Sequence, residues 1–165
     1  VYYLIEELKV AKNIRIRSSV LNIQGLLASK EGRLPEAVYY WKESLRYTKT
    51  YEPAILNLGF TALKYGDFDT AEKMLNKLEE NWFVLYAKAC LYRLIGKLEK
   101  ATVLYQDLIK KKGKYKPLIY NYAIHLWQSN NDISKAQKII KKALKIKQGP
   151  SFWNEKGQKV LARIQ

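Results

Sequence analysis

The stretch NLGFTALKYGDFDTAEKML, Asn57–Leu75, places two glycines and an alanine in a sequence that otherwise favours helix. Gly66 follows Gly59 after seven residues, and Ala71 follows Gly66 after five. Glycine inside a helix costs about 0.5–1 kcal/mol relative to alanine, so its position needs a structural reason. The pattern predicts two helices that approach closely through Gly59 and Ala71, with the chain turning at Gly66 between them.

The same spacing recurs in three other parts of the chain. The corresponding triplets are Gly25, Gly32 and Ala37; Ala89, Gly96 and Ala101; and, with a weaker match, Ile124, Asn131 and Ala136. The steps between successive final alanines are 34, 30 and 35 residues, so we expect one copy to be shortened between Leu75 and Trp82. A period of this length is typical of proteins built from stacked helix pairs.

Apolar spacing predicts two helices in each copy, over residues 18–31, 35–48, 52–65, 69–79, 82–95, 98–111, 117–129 and 134–147. Pro35 suits the first turn of its helix, and capping boxes are expected at Asp69 with Glu72 and at Ser134 with Gln137. We expect a single domain over 1–165, with an N-terminal helix or partial repeat (1–17), four repeats (18–51, 52–81, 82–116 and 117–149) and a capping helix (150–165).

The small residues have two predicted roles. The first and last of each triplet face each other across a helix pair, as Gly25 with Ala37, Gly59 with Ala71 and Ala89 with Ala101. The middle residue ends the first helix in the left-handed conformation, which glycine adopts at least cost and asparagine next. These middle residues are Gly32, Gly66, Gly96 and Asn131.

The pattern resembles the tetratricopeptide repeat family over residues 18–147. The segments that carry the resemblance are LNIQGLLASKEGRLPEAVYYWKESL, AILNLGFTALKYGDFDTAEKML, VLYAKACLYRLIGKLEKATVLYQDL and LIYNYAIHLWQSNNDISKAQKIIKKAL. The resemblance implies an all-α, right-handed α-solenoid of helix-turn-helix repeats. It also implies a protein-interaction scaffold, an adaptor or assembly factor, whose first helices line a groove for a peptide or helical segment of a partner.

The groove residues implied by the resemblance are Asn22, Leu26, Asn57, Phe60, Tyr86, Arg93, Asn121 and His125. Asparagine side chains can hold a peptide backbone, and the two aromatic residues are candidates for an apolar anchor site. The alternative is that several of these residues pack against neighbouring helices. A family subtype clamps chaperone carboxylates, but Leu26, Phe83 and Ala87 stand where that clamp needs polar or cationic residues. We therefore expect a more apolar ligand.

The charge distribution supports a second hypothesis. The chain carries a net charge of +15, and residues 93–165 contribute 17 basic and 4 acidic side chains. One interpretation is that this half binds an acidic partner, RNA or an anionic membrane surface. The other is that the charge reflects codon bias, since Lys outnumbers Arg 24 to 6. The basic patch expected here comprises Lys110, Lys111, Lys112, Lys138, Lys141, Lys142 and Lys145.

Catalysis is not indicated by any motif. His125 is the only histidine and Cys90 the only cysteine, so no metal, cofactor or enzymatic activity is expected. No apolar run approaches the roughly 18 residues that span a bilayer. The chain begins with Val1, which suggests a fragment, so a cytoplasmic and a bacterial periplasmic location both stay open. Self-association through apolar residues near Val1, Tyr2 and Leu4 is a third alternative.

Overall fold

The computed structural model describes residues 13–130 and 132–164, and this part of the chain forms nine α-helices. They are α1 (Ile14–Lys30), α2 (Leu34–Tyr47), α3 (Glu52–Tyr65), α4 (Phe68–Leu75), α5 (Trp82–Leu94), α6 (Leu98–Lys112), α7 (Lys116–Asn130), α8 (Ile133–Leu144) and α9 (Phe152–Arg163). The residues expected to mediate self-association, Val1, Tyr2 and Leu4, most of the N-terminal helix or partial repeat expected over 1–17, and the helix end expected at Asn131 lie outside the described residues.

The described part of the chain falls into two compact units, one before and one after the boundary between Glu79 and Glu80. In the first unit α1 pairs with α2, α3 pairs with α4, and α2 packs on α3 around Ala37, Trp41 and Leu58. In the second unit α5 pairs with α6 and α7 with α8, around a core that includes Tyr105 and Ile140. The C-terminal helix α9 packs on α7 and α8. The repeat boundaries stay a prediction.

The helix bounds agree with the predicted ones to within one residue at most ends, but α1 begins at Ile14 and not at residue 18, and α8 ends at Leu144 and not at residue 147. In the shortened copy α4 ends at Leu75 and not at residue 79. The Lys77 N–H donates to the Met74 carbonyl at 3.1 Å, and the Leu78 N–H donates to the Leu75 carbonyl at 3.3 Å. This tight turn buries Leu78. The side chain of Asn81 then accepts hydrogen bonds from two backbone N–H groups and starts α5.

Both predicted capping boxes are wrong, because each helix is capped by an aspartate two residues before the expected cap. Asp67 caps α4 by accepting from the Thr70 N–H at 3.1 Å, and Asp132 caps α8 by accepting from the Lys135 N–H at 3.0 Å. Hydrogen bonds from the Thr70 side chain and backbone hold the pKa of the Asp67 carboxyl below its usual value. The expected caps Asp69 and Ser134 lie inside the first turn.

The glycines predicted to end the first helices have that role. Gly32, Gly66 and Gly96 have φ values of 80°, 81° and 78°, in the left-handed region. The backbone N–H of Asp67 donates to the Ala62 carbonyl at 2.9 Å, which satisfies a carbonyl left over at the end of α3.

The helix pairs meet through small buried residues, but the nearest contacts differ from the prediction. Ala37 and Ala71 have no exposed surface. A methyl group at Gly25 would overlap the Trp41 indole ring, and one at Gly59 would lie 3.4 Å from Met74 Cβ. The nearest neighbours of these glycines therefore lie about one helical turn beyond the alanines proposed as partners, because each side chain leans over the preceding turn of its own helix.

Candidate functional site

An apolar stripe lies along the first helix of the first unit. Ile16, Ile23 and Leu26 are 39%, 44% and 46% exposed, and their spacing of seven and three residues places them on one face of α1. Exposed leucine and isoleucine are common when single, but side chains aligned on one face favour a binding surface.

An amide pair links this helix to the first helix of the next pair. The side-chain N–H of Asn57 on α3 donates to the side-chain oxygen of Asn22 on α1 at 2.9 Å. Leu26 lies one turn after Asn22, and the half-buried Phe60 lies one turn after Asn57. Four of the predicted groove residues are thus brought to neighbouring positions on α1 and α3, but Asn22 is only 6% exposed and meets Asn57 rather than solvent. We call Asn22, Ile23, Leu26, Asn57 and Phe60 the amide face.

The predicted groove residues of the second unit are bonded to each other. Tyr86 on α5 is 7% exposed, and its hydroxyl accepts from the Asn121 side chain on α7 at 2.6 Å. Arg93 on α5 donates to the Gln128 side-chain oxygen on α7 at 2.7 Å. The polar groups expected to meet a ligand therefore join α5 to α7.

His125 is fully buried, so it cannot line an accessible groove as the sequence suggested. Its Nε2 lies 2.7 Å from the hydroxyl oxygen of Thr102 on α6. Burial lowers the pKa of His125, and the nearby Arg93 lowers it further. The imidazole is thus a neutral packing group in the folded protein at pH 7.

The side chains with reactive potential are held in inert forms. Burial raises the pKa of the Cys90 thiol, whose sulfur accepts a hydrogen bond from the Tyr105 hydroxyl at 3.4 Å. A thiol, and not a nucleophilic thiolate, therefore stands at this position at neutral pH. Within residues 13–130 and 132–164, no three His, Cys, Asp or Glu side chains are grouped to hold a metal ion. No helix in the same ranges has the length and apolar character needed to cross a membrane.

The predicted basic patch consists of two surfaces, both in the second unit. Lys110, Lys111 and Lys112 end α6, where Lys111 pairs with Asp107 at 2.8 Å. The other four lysines, Lys138, Lys141, Lys142 and Lys145, line a separate shallow cleft of about 360 Å³ on α8.

Three aromatic side chains outside the predicted sites lie beside the first of these lysine groups. Trp82, Tyr115 and Trp153 line a cleft of about 660 Å³ together with Lys110–Lys112. These aromatic residues are 33 and 38 positions apart in the sequence, so no local pattern joins them. The one sequence feature that could have predicted this cleft is the presence of large aromatic residues near the ends of separate helices.

Solved structures share this fold. A thermophilic TPR protein of Thermus thermophilus aligns with a TM-score of 0.71 and 18% identity, over 89% of this chain and 80% of its own. A tetratricopeptide repeat protein from Parabacteroides merdae aligns with a TM-score of 0.72 and 15% identity, over 93% of this chain but 63% of its own. MamA of strain AMB-1 aligns with a TM-score of 0.59 and 18% identity, over 90% and 81%.

These similarities confirm the all-α helical-repeat class, and the chain has the tetratricopeptide-repeat fold. No protein-family model matches the sequence, and no curated protein matches it.

Proposed function

We propose that this protein is a non-catalytic scaffold that holds a peptide or a helical segment of a partner protein, as an adaptor or assembly factor of a larger complex. The observation that carries the proposal is the amide face, where Asn57 donates to Asn22 at 2.9 Å beside the exposed Leu26. Fixed polar groups next to exposed apolar side chains are the usual composition of a site that binds an unfolded segment.

The amide pair suits a peptide backbone. The bond to Asn22 uses a donor of Asn57 and holds its amide in one orientation. The carbonyl oxygen of Asn57 takes no part in that bond, and it is an acceptor for the backbone N–H of an incoming segment. An amide with a fixed direction loses little side-chain entropy when it binds, which favours affinity.

The apolar members of the amide face suit a side chain of the same segment. Ile23 and Leu26 are 44% and 46% exposed, and covering them removes apolar surface from water. Phe60 adds a half-buried ring on α3. We therefore expect the ligand to place an apolar side chain on this surface and to form hydrogen bonds through its backbone on either side. Charged side chains are not required.

Site-specific photo-crosslinking tests this proposal. A benzoylphenylalanine residue placed at Leu26 should give a defined adduct with a partner segment in an extract of the source cells. The same group at Tyr39, which is 58% exposed on α2, serves as the matched control and should give none. A segment recovered in the adduct and made synthetically should bind the wild type and should lose about tenfold affinity with Phe60→Ala or Asn57→Ala.

Equal adducts from both positions would mean that exposed apolar residues capture proteins without specificity. Binding of the recovered segment that is unchanged by both Phe60→Ala and Asn57→Ala would contradict the amide face as the site.

A further inference from the structure

The cleft beside α6 in the second unit has an aromatic floor and a lysine rim. It measures about 660 Å³, within the range of roughly 300–1,000 Å³ that is usual for binding pockets. Trp82, Tyr115 and Trp153 form the floor, and Lys110, Lys112 and Lys114 stand at the rim. We call these six residues the lysine–aromatic cleft.

The floor is assembled from three separate elements. Trp82 begins α5, Tyr115 lies between α6 and α7, and Trp153 lies in the first turn of α9. The Trp82 and Tyr115 rings are 5.2 Å apart at 78°, and the Tyr115 and Trp153 rings are 5.4 Å apart at 87°. Two indoles therefore meet one central phenol edge to face, an arrangement that aromatic rings favour.

Both indoles already contact another group. The Lys112 ammonium lies 5.4 Å from the centroid of the Trp82 ring. A methyl group at Gly149 would overlap Trp153, so the backbone of Gly149 packs against that ring. Nucleobases bind aromatic side chains through open ring faces, and the Lys112 ammonium covers one face of the Trp82 ring. The floor is better suited to an aliphatic or aromatic side chain that rests across the three rings.

The rim sets the charge of the ligand. Lys110, Lys112 and Lys114 are exposed, and the described residues that line the cleft include no aspartate or glutamate. Lysine is a flexible point charge that pairs with carboxylates without fixed geometry, and a cationic rim steers acidic partners toward the site.

We infer that the lysine–aromatic cleft binds an acidic peptide segment in which one large apolar side chain stands between aspartate and glutamate residues. The apolar side chain lies on Trp82, Tyr115 and Trp153, and the flanking carboxylates pair with the lysines of the rim. This site and the amide face consist of different residues. The cleft selects its ligand by charge, whereas the amide face does not.

Titration with a synthetic peptide tests the inference. The probe is a short labelled peptide with one Phe flanked by Asp and Glu residues, followed by fluorescence anisotropy and by the emission of the protein's tryptophans. We expect Lys110→Gln, Lys112→Gln and Lys114→Gln together to weaken binding about tenfold, the effect of several exposed ion pairs lost at once.

The matched control removes the same charge from the other lysine surface. Lys138→Gln, Lys141→Gln and Lys145→Gln together should change the affinity less than about twofold, because these lysines line a different cleft. Trp153→Leu should lower the affinity and reduce the tryptophan emission change, and circular dichroism verifies its fold. Leu26→Ala in the amide face should leave this binding unchanged, so the two proposed sites are tested independently.

Three outcomes would overturn the inference. Equal losses in both lysine variants would indicate attraction to net charge alone. Equal binding of an analogue with Asn and Gln in place of Asp and Glu would remove the role of the rim. Tighter binding of a uridine oligonucleotide or of anionic lipid vesicles, lost in the same cleft variant, would assign the cleft to phosphate ligands.

Discussion

At the scale of single residues, His125 lies in a buried environment and not in the ligand-facing one that its position in the sequence implied. His125 occupies a position of the first-helix face at which the family resemblance implied ligand contact. The structure buries it completely, with its Nε2 2.7 Å from the Thr102 hydroxyl oxygen. Thr102 lies 23 residues away on another helix, so no local pattern could reveal this neighbour.

The burial of His125 predicts a pH dependence of stability. Its pKa is lowered in the folded protein by burial and by Arg93, whereas the unfolded chain binds a proton near the ordinary value of about 6.5. The unfolded state therefore binds more protons below this pH, and the free energy of unfolding falls as the pH drops from about 7.5 through 6.5 toward the folded-state pKa.

Thermal unfolding between pH 5.5 and 7.5 measures this effect, and His125→Gln serves as the comparison because His125 is the only histidine. The melting temperature of the wild type should fall more steeply toward acid than that of the variant. Parallel curves would show that His125 titrates alike in both states.

At the scale of the helix pair, the two glycines inside helices of the first unit have unequal space beside them. Both lie inside first helices, Gly25 in α1 and Gly59 in α3. Gly25 lies directly under the Trp41 ring, whose Nε1 donates to the Asn22 carbonyl at 3.3 Å and thereby fixes the indole. Gly59 faces Met74 and Leu75 at the distances of ordinary contact.

Alanine substitutions at the two glycines should therefore have opposite effects. Gly25→Ala overlaps Trp41 and should lower the free energy of unfolding by about 1–3 kcal/mol. Gly59→Ala has room for its methyl group, 3.4 Å from Met74 Cβ, and should be neutral or gain up to about 1 kcal/mol from helix propensity. Urea unfolding followed by circular dichroism measures both.

Each variant is the control of the other, because the gain in helix propensity is common to both positions. Equal changes at the two positions would mean that the Trp41 contact does not restrict Gly25. Gly59→Leu exceeds the available space and should still destabilise by about 1–3 kcal/mol.

At the scale of the whole chain, the helix α9 covers part of the core of the second unit and also contributes a residue to the lysine–aromatic cleft. Val160, Leu161 and Ile164 pack against the core of the second unit. Ile164 has no exposed surface, and its carbonyl accepts from the Gln137 side chain on α8 at 2.7 Å. The same helix carries Trp153 to the lysine–aromatic cleft, so one element serves stability and the proposed binding.

Ile164→Ala should therefore loosen the end of the second unit. Removal of a fully buried isoleucine costs about 2–5 kcal/mol through lost burial and a residual cavity. Chemical unfolding measures the loss, and Ala162→Ser, at an exposed position of α9, is the control that should change little. An unchanged free energy of unfolding in Ile164→Ala would show that α9 does not stabilise this unit.

Much of the local structure could be predicted, because it depends on interactions within a few residues. Gly32, Gly66 and Gly96 end helices where their spacing required, since a left-handed residue favours glycine wherever it occurs. The predicted caps lie two residues after the observed ones, because residues such as Asp67 and Asp69 offer the same capping chemistry. Which of the two aspartates caps the helix depends on where the helix begins. Packing against neighbouring helices sets that starting position.

The sequence by itself determined the helices, their pairing and the repeat, because these follow from apolar period, small residues and helix-ending glycines. Only the tertiary structure decided which of the predicted groove residues meet solvent. It buried His125 and Tyr86, kept Leu26 exposed, and brought Trp82, Tyr115 and Trp153 together beside the lysines of α6. The physical reason is that exposure and ring contacts depend on neighbours distant in the chain, whereas a helix depends on residues one turn away.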